Sequence, residues 1–338
     1  MSFSSEHQAA MKQQGRKGRC LHFENGVRCN KIILAHSIQK QGQLSLIAES
    51  GHVYRLSADL SALKTSGGKP QLRKVGLNRA STFPGMCGQH DNELFSPIDN
   101  SPLTGSREQV ALYAYRSICR EFFVKENASI TLNKMVGSPG LDWSQQQLLR
   151  SAAWGQTVGF QRLKRHKGIY DECLAAKDFS GFKFVIFESG SKFSFQTSGL
   201  IFPDYDFLGR QLQDLGPQTK ELDLLTFFTA PTIEGWAFVF AWHESSAKSC
   251  SWFIQSLAEL VRTGAKAEDA LLRFGLVCCE NHAIRISWWD GLSSALKKQA
   301  MDAMVLMADP TVGVEPDYLV SGCEGLADWS FDGVRDVT

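Results

Sequence analysis

Between residues 181 and 243, four short runs (FKFVIFES, KFSFQTSGLIF, LLTFFTAP and GWAFVFAWH) are dense in aromatic and β-branched residues. Turn signals at Ser189-Gly190, Pro231 and Glu234-Gly235 separate them. Residues of this kind fit a pleated, half-buried surface, so the pattern predicts strands of one antiparallel sheet. In GWAFVFAWH the large rings of Trp236, Phe238, Phe240 and Trp242 alternate with smaller residues and therefore share a face, expected to pack as a core against helices. Those helices are predicted over SCSWFIQSLAELVRT and DGLSSALKKQAMDAMVLMAD, with FGLVCCENHAIRISWW as a strand or strand-turn element between them.

Upstream the period changes from two to 3.6. Ser106 is placed to N-cap a helix with Glu108 in its first turn, followed by an apolar stripe at Val110, Tyr113, Ile118 and Phe122. A second helical pattern, SQQQLLRSAAWGQTVGFQRLKRHKGIYDECLAAK, follows the Ser138-Pro139-Gly140 break. The two predict an antiparallel pair. Residues 18–100 are different again, short in element and rich in turns (Asn25-Gly26, Pro84-Gly85, Ser96-Pro97), with LSLIAESGHVYRLSADL reading as a hairpin around Ser50-Gly51. So small a core needs a staple, and a metal is the option in a reducing compartment.

The expected class is α+β, in five parts. A disordered basic leader occupies 1–17, a zinc-stabilised module 18–102, a helical connector 103–178, an aromatic-rich α+β domain 179–310 and a flexible tail 311–338. Over 338 residues the net charge is only +1, so any nucleic-acid surface must be a local patch. No apolar run reaches the ~20 residues of a membrane helix, and the polar N-terminus has no apolar stretch of the secretory kind. Nine scattered cysteines then argue for a cytoplasmic chain and against a disulfide framework.

Four residues have metal-ligand spacing. Cys87-x-x-His90 is a tight knuckle, and the wider Cys20-x8-Cys29 has Asn25-Gly26 at mid-span to fold its thiols together. Together they predict a Cys3His zinc site. His36, in the run ILAHSI, is a fifth candidate for four places, which suggests another task for it. His22 and His52 read as exposed loop histidines.

These residues resemble the HNH nuclease family, which has the ββα-metal fold. LAHSIQK resembles the strand that carries the family's general-base histidine, GLNRAST its following asparagine, and CGQHDNELF its knuckle and metal-binding helix. The resemblance covers about residues 18–99 and extends to HNH modules fused to further domains in bacterial defence proteins. It implies hydrolysis of DNA or RNA phosphodiesters with His36 as base, Asn78 as its orienter and Asp91 or Asn92 on a catalytic Mg2+ or Mn2+. The chemistry is coherent, because such cleavage needs a base near neutrality and a cation to stabilise phosphoryl charge. The sequence departs from the pattern at Ala35, where the family often has a metal-binding residue, and in the 42-residue separation of His36 from Asn78. The alternative for His36 is a structural histidine or a zinc ligand.

Basic residues gather on both sides of the module: Arg16, Lys17, Arg19 and Arg28 on one, and Arg73, Lys74 and Arg79 on the other, with RLKRHK (162–167) as a third run. Such clusters suit phosphate contact. Nucleic acid is therefore the expected partner, with DNA favoured over RNA, and a protein partner is open to the C-terminal domain. The alternative is a non-catalytic, zinc-stabilised sensor or scaffold that binds nucleic acid or protein.

Overall fold

The protein is described here by a computed structural model covering residues 3–57, 70–216, 220–307 and 313–337. The fold is mixed α+β. Its largest element is an antiparallel sheet of eight strands in the order β10-β5-β8-β7-β6-β9-β2-β3. The aromatic runs supply β5 (Phe182–Ser189), β6 (Phe195–Ile201), β7 (Leu225–Pro231) and β8 (Trp236–His243). The flanking strands are β2 (His52–Ser57), β3 (Gln71–Gly76), β9 (His282–Ile284) and β10 (Gly333–Val337).

Both faces of the sheet are covered, and the alternation of β8 sorts the covering. Trp236, Phe238, Phe240 and Trp242 join a core with Phe253 and Leu257 of α5 (Ala247–Arg262) and Phe274 of α6 (Ala267–Cys278). Ala237, Val239 and Ala241 face the other way, into a core with α3 (Arg107–Met135). Small side chains on that face let the α3 backbone approach, which is why α3 is buried nearly all round from Val110 to Cys119. Ser106 caps α3 by accepting from Gln109 N at 3.2 Å. The antiparallel partner, α4 (Trp143–Ala176), starts with a capping box between Asp142 and Gln145.

The module boundary expected near residue 102 is not a boundary in the fold. β2 and β3 lie between β1 (Ile32–His36) and β4 (Thr82–Cys87) in sequence, yet they extend the large sheet through the Tyr54–Ile284 pairing with β9. Only β1, β4 and the helix that follows, α2 (Gly88–Asp99), form a compact ββα unit, and it packs on α3.

Four further expectations are corrected. The leader contains α1 (Phe3–Gly15), whose Gln14 reaches Asn127 of α3 at 3.4 Å. The tail is part of the fold, because β10 pairs with β5 and Leu319, Leu326 and Trp329 are buried in the aromatic core. FGLVCCENHAIRISWW is mostly helical: α6 runs through Cys278, β9 has three residues and a helical turn follows at Ile286–Gly291. Around Ser50-Gly51 there is only a bridge from Glu49 to His52, since Ser45–Ile47 is helical and β2 pairs with β3; the tip of that hairpin falls outside the described residues. The last helix, α7 (Ser294–Val305), is capped by Ser293.

Candidate metal centre and adjoining cleft

The knuckle that carries Cys20 and Cys29 turns through left-handed backbone at Asn25 (φ 50°), Gly26 (φ 94°) and Arg28 (φ 56°). Asn and Gly tolerate that region best. Its base is fixed by Leu21 N to Gly85 O at 2.9 Å and by the Tyr115 hydroxyl of α3, which donates to Leu21 O at 3.1 Å. From the other side, β4 ends at Cys87, whose sulfur caps α2 by accepting from His90 N at 3.4 Å. A cysteine at the cap and a histidine three residues on bring both side chains to the same helix end.

All four predicted ligands meet there. The sulfurs of Cys20, Cys29 and Cys87 lie 3.4, 3.5 and 3.4 Å from His90 Nδ1. Tetrahedral zinc with Zn–S of about 2.3 Å and Zn–N of about 2.0 Å separates its S and N ligands by about 3.5 Å. The donor set therefore fits a metal such as zinc. Burial and the neighbouring Cys20 push Cys29 up to about 12, whereas at Cys87 the N–H groups of His90 and Asn30 outweigh burial and bring it down to about 7.

Around the ligands is a layer that sequence reasoning missed. Glu24 accepts from His90 Nε2 at 3.0 Å, the arrangement that fixes ring orientation and tautomer in metal-bound histidines. Arg28 holds Glu24 at 2.7 Å and Glu93 at 3.1 Å. His22 is not an exposed loop residue: it is 6% exposed and its ring stacks on His90 at 3.9 Å and 3°. Burial, then the His90 charge, lower it to about 4. Only the position of Glu24 inside the knuckle hinted at this.

His36 does not point into the metal cluster. Its Nε2 lies 2.9 Å from Leu77 O. A carbonyl only accepts, so Nε2 carries the proton and Nδ1 is the acceptor. Burial lowers the pKa of the ring further, opposed by the Leu77 bond, so it is neutral at pH 7. The orienter is thus the carbonyl before Asn78; the Asn78 side chain is exposed and is not a partner of His36.

His36 lines a cleft of about 260 Å³ with Gln39, Lys40, Asp91, Asp99 and Arg116. Asp91 Oδ1 and Gln39 Oε1 are buried there without a hydrogen-bond donor. Burial raises the Asp91 pKa, against the attraction of Arg116. Arg116, which the sequence did not single out, donates to both Asp99 oxygens at 2.8 Å and stacks on Phe95 at 4.1 Å. Asn92 is exposed on α2 and does not line the cleft.

The predicted basic surface divides. Arg16, Lys17, Lys74 and Arg79 are exposed. Arg19 is half-buried, pairs with Glu126 and lies over Phe123; Arg28 is exposed, with its guanidinium engaged by Glu24 and Glu93. Arg73 stands opposite Arg55 in the β2–β3 register. In RLKRHK, Lys167 is buried against Asp171 at 2.7 Å and His166 Nε2 donates to the Leu222 carbonyl at 2.8 Å, so that run is no continuous patch.

Comparison of the chain with protein families, with curated proteins and with solved structures finds no match. Among the described residues, no helix is long and apolar enough to cross a membrane. A functional reading therefore rests on the geometry of the metal cluster and its cleft.

Proposed function

We propose that the ββα unit is a zinc-stabilised, HNH-type nuclease centre that cleaves DNA or RNA phosphodiesters. One observation carries the reading: His36, with Nδ1 as its acceptor nitrogen, shares a cleft with two buried oxygens, Asp91 Oδ1 and Gln39 Oε1, that have no donor. Oxygen acceptors without donors are suited to a hard divalent cation. Asp91 would hold Mg2+ or Mn2+ with Gln39 beside it, and such an ion supplies charge stabilisation to the phosphoryl group.

In this reading His36 Nδ1 takes the proton of the attacking water while the Leu77 carbonyl holds the ring, and both are already set before substrate arrives. Arg116 keeps Asp99 engaged, and with Lys40 adds positive charge at a cleft that must receive a phosphate. The zinc cluster holds the start of α2, and thereby the backbone that presents Asp91, one residue beyond His90. A role in bacterial antiphage defence belongs to the HNH resemblance alone.

The second reading, a non-catalytic zinc module that binds nucleic acid or protein, draws on two features. Ala35 occupies a position where a further metal ligand would stand, and the Arg116–Asp99 pair leaves Asp91 as the cleft's one carboxylate not bound to arginine. The deciding experiment is incubation of the purified full chain with plasmid DNA and with RNA in Mg2+ or Mn2+, wild type against His36→Ala. Nicking or degradation that the variant loses, at unchanged zinc content, supports the nuclease. No cleavage by the wild type on either substrate removes it.

A further inference from the structure

A larger cavity lies away from the metal cluster, between α3, the edge of β6 and the end of α6. Its volume is about 730 Å³, within the range of small-molecule sites. Val124, Ile201, Phe202, Val277 and Met304 give it apolar walls. Into these walls are set three cations, Arg55, Arg120 and Lys125, and three carboxylates, Glu121, Asp204 and Glu280.

The charges are equal in number but are not paired one to one. Glu121 is in contact with Arg120. Asp204 accepts from the Tyr318 hydroxyl at 2.9 Å and from Tyr205 N at 2.9 Å. Glu280 is exposed. Arg55, by contrast, meets only neutral acceptors, His282 O at 3.2 Å and Asn281 Oδ1 at 3.3 Å. Among the described residues neither Arg55 nor Lys125 has an ion-pair partner, and Arg55 faces Arg73 across the strand pair. Like charges in that position repel, and the partly buried Arg55 guanidinium, hydrogen-bonded only to neutral groups, is offset by no more than the attraction of Cys279 and the exposed Glu280. A fold that retains such a group on the wall of an apolar cavity is arranged for an anion to enter.

We infer that this cavity is a binding site for a small organic anion, a carboxylate or phosphate ester carrying an apolar body, with Arg55 as the anchoring charge and Lys125 as a second. Burial, and after it the nearby Arg120, lower Arg55 to about 10, which still leaves it fully charged at neutral pH. The anchor is also wired to the ββα unit. Asn281 Oδ1, which accepts from Arg55, accepts from Ser81 Oγ at 2.8 Å, and Asn281 Nδ2 donates at 2.9 Å to Ser37, the neighbour of His36. An occupant of the cavity would thus share a hydrogen-bond network with the segment that carries His36.

The test is calorimetric titration of the full chain with phenyl phosphate, with benzoate and with neutral benzyl alcohol, on wild type, Arg55→Met and Lys125→Met. At least one anion should bind, benzyl alcohol at least tenfold more weakly, and Arg55→Met should weaken the anion at least tenfold, since charge-assisted bonds are the strong ones. Circular dichroism and zinc content report whether Arg55→Met is folded. If it is not, Ala128→Phe, which fills the cavity from α3 and leaves the charges in place, must abolish anion binding. Absence of binding by both anions at millimolar concentration, or equal binding by the variants, overturns the assignment. So does displacement of a bound anion by an oligonucleotide, because the cavity would then belong to a nucleic-acid surface.

Discussion

His90 and Glu24 are joined at 3.0 Å through Nε2, while the opposite ring nitrogen faces three cysteine sulfurs. A carboxylate in this position orients the imidazole and raises its basicity as a ligand, and losing it typically costs roughly 10–100-fold in metal affinity. Glu24→Gln, which keeps the shape and removes the charge, is expected to lose metal to a chelator at about tenfold lower chelator concentration than wild type. Competition against a chromophoric chelator reads this directly. Equal retention would mean that the Cys3His set holds its metal without help.

Zinc itself is the second prediction. Elemental analysis should find about one zinc per chain. Cys20→Ser or Cys87→Ser should lower stability by several kcal/mol, because the binding energy of a structural zinc is largely folding energy. The loss should reach beyond the ββα unit, since Leu21, Phe83, Met86 and Phe95 share one core with α3 and the sheet.

Asp91 is predicted to place function and stability in opposition. A carboxylate whose Oδ1 is buried without a donor, and whose pKa burial raises, destabilises the fold at neutral pH. Asp91→Asn should therefore raise stability by about 1 kcal/mol, the scale of one unsatisfied buried group. Above the raised folded pKa the native carboxylate is at its most unfavourable, so the gain should shrink as the pH falls through that value toward the unfolded pKa of about 4. If the nuclease reading holds, the same variant should lose cleavage while zinc content is unchanged.

Salt dependence separates the exposed lysines and arginines of this set from Arg28, which two carboxylates engage. If the proposed nucleic-acid reading holds, replacing Arg16, Lys17, Lys74 and Arg79 by glutamine should weaken that binding uniformly across sequences and flatten its dependence on log[salt], since phosphate contacts carry no base information. Arg28→Gln should instead affect the metal centre, through Glu24. A salt slope unmoved by the quadruple variant would assign these charges to solvent.

His282 gives a pH signature. It is fully buried, its Nε2 has no partner, and burial lowers it to about 4, against a carbonyl bond from Cys279 that raises it. With a folded pKa below the unfolded value, the stabilising contribution is fully present above pH 6.5 and declines as the pH falls toward 4. At pH 5 the loss is about 2 kcal/mol by linkage. Denaturant titrations at pH 7 and pH 5 should show that much less acid destabilisation in His282→Gln than in wild type.

The candidate site was legible where it depended on local spacing. Cys87-x-x-His90 closes within one helical turn and Asn25-Gly26 supplies the backbone freedom that brings Cys20 and Cys29 together, so each pair was legible locally, while the meeting of the two pairs depends on the β1–β4 pairing and the Leu21–Gly85 bond. Glu24, His22, Gln39 and Arg116 were missed because nothing local distinguishes them. Each acts through a partner 17 to 68 positions away in the chain: Glu24 and His22 on His90, Gln39 on Ile98 and Asp99, and Arg116 on Asp99. Asn78 was assigned to a task that its neighbour's carbonyl performs, because a backbone acceptor leaves no trace in residue identity.

Hydrophobic period by itself determined that the chain is α+β, that α3 and α4 are a helical pair, and which face of β8 carries the aromatic rings, because period reports which side of an element is buried. Strand order, and the merging of β2 and β3 into the large sheet, were decided only by tertiary structure. Their weakly alternating sequences suit any antiparallel edge, and in the fold the neighbour they take is β9. Tertiary structure alone also ordered the two ends of the chain. α1 and β10 have little apolar surface of their own, and each is held by an element already in place, α3 for the one and the edge of β5 for the other. Contacts of that range are written in the shape of the folded core, where no local pattern of residues can announce them.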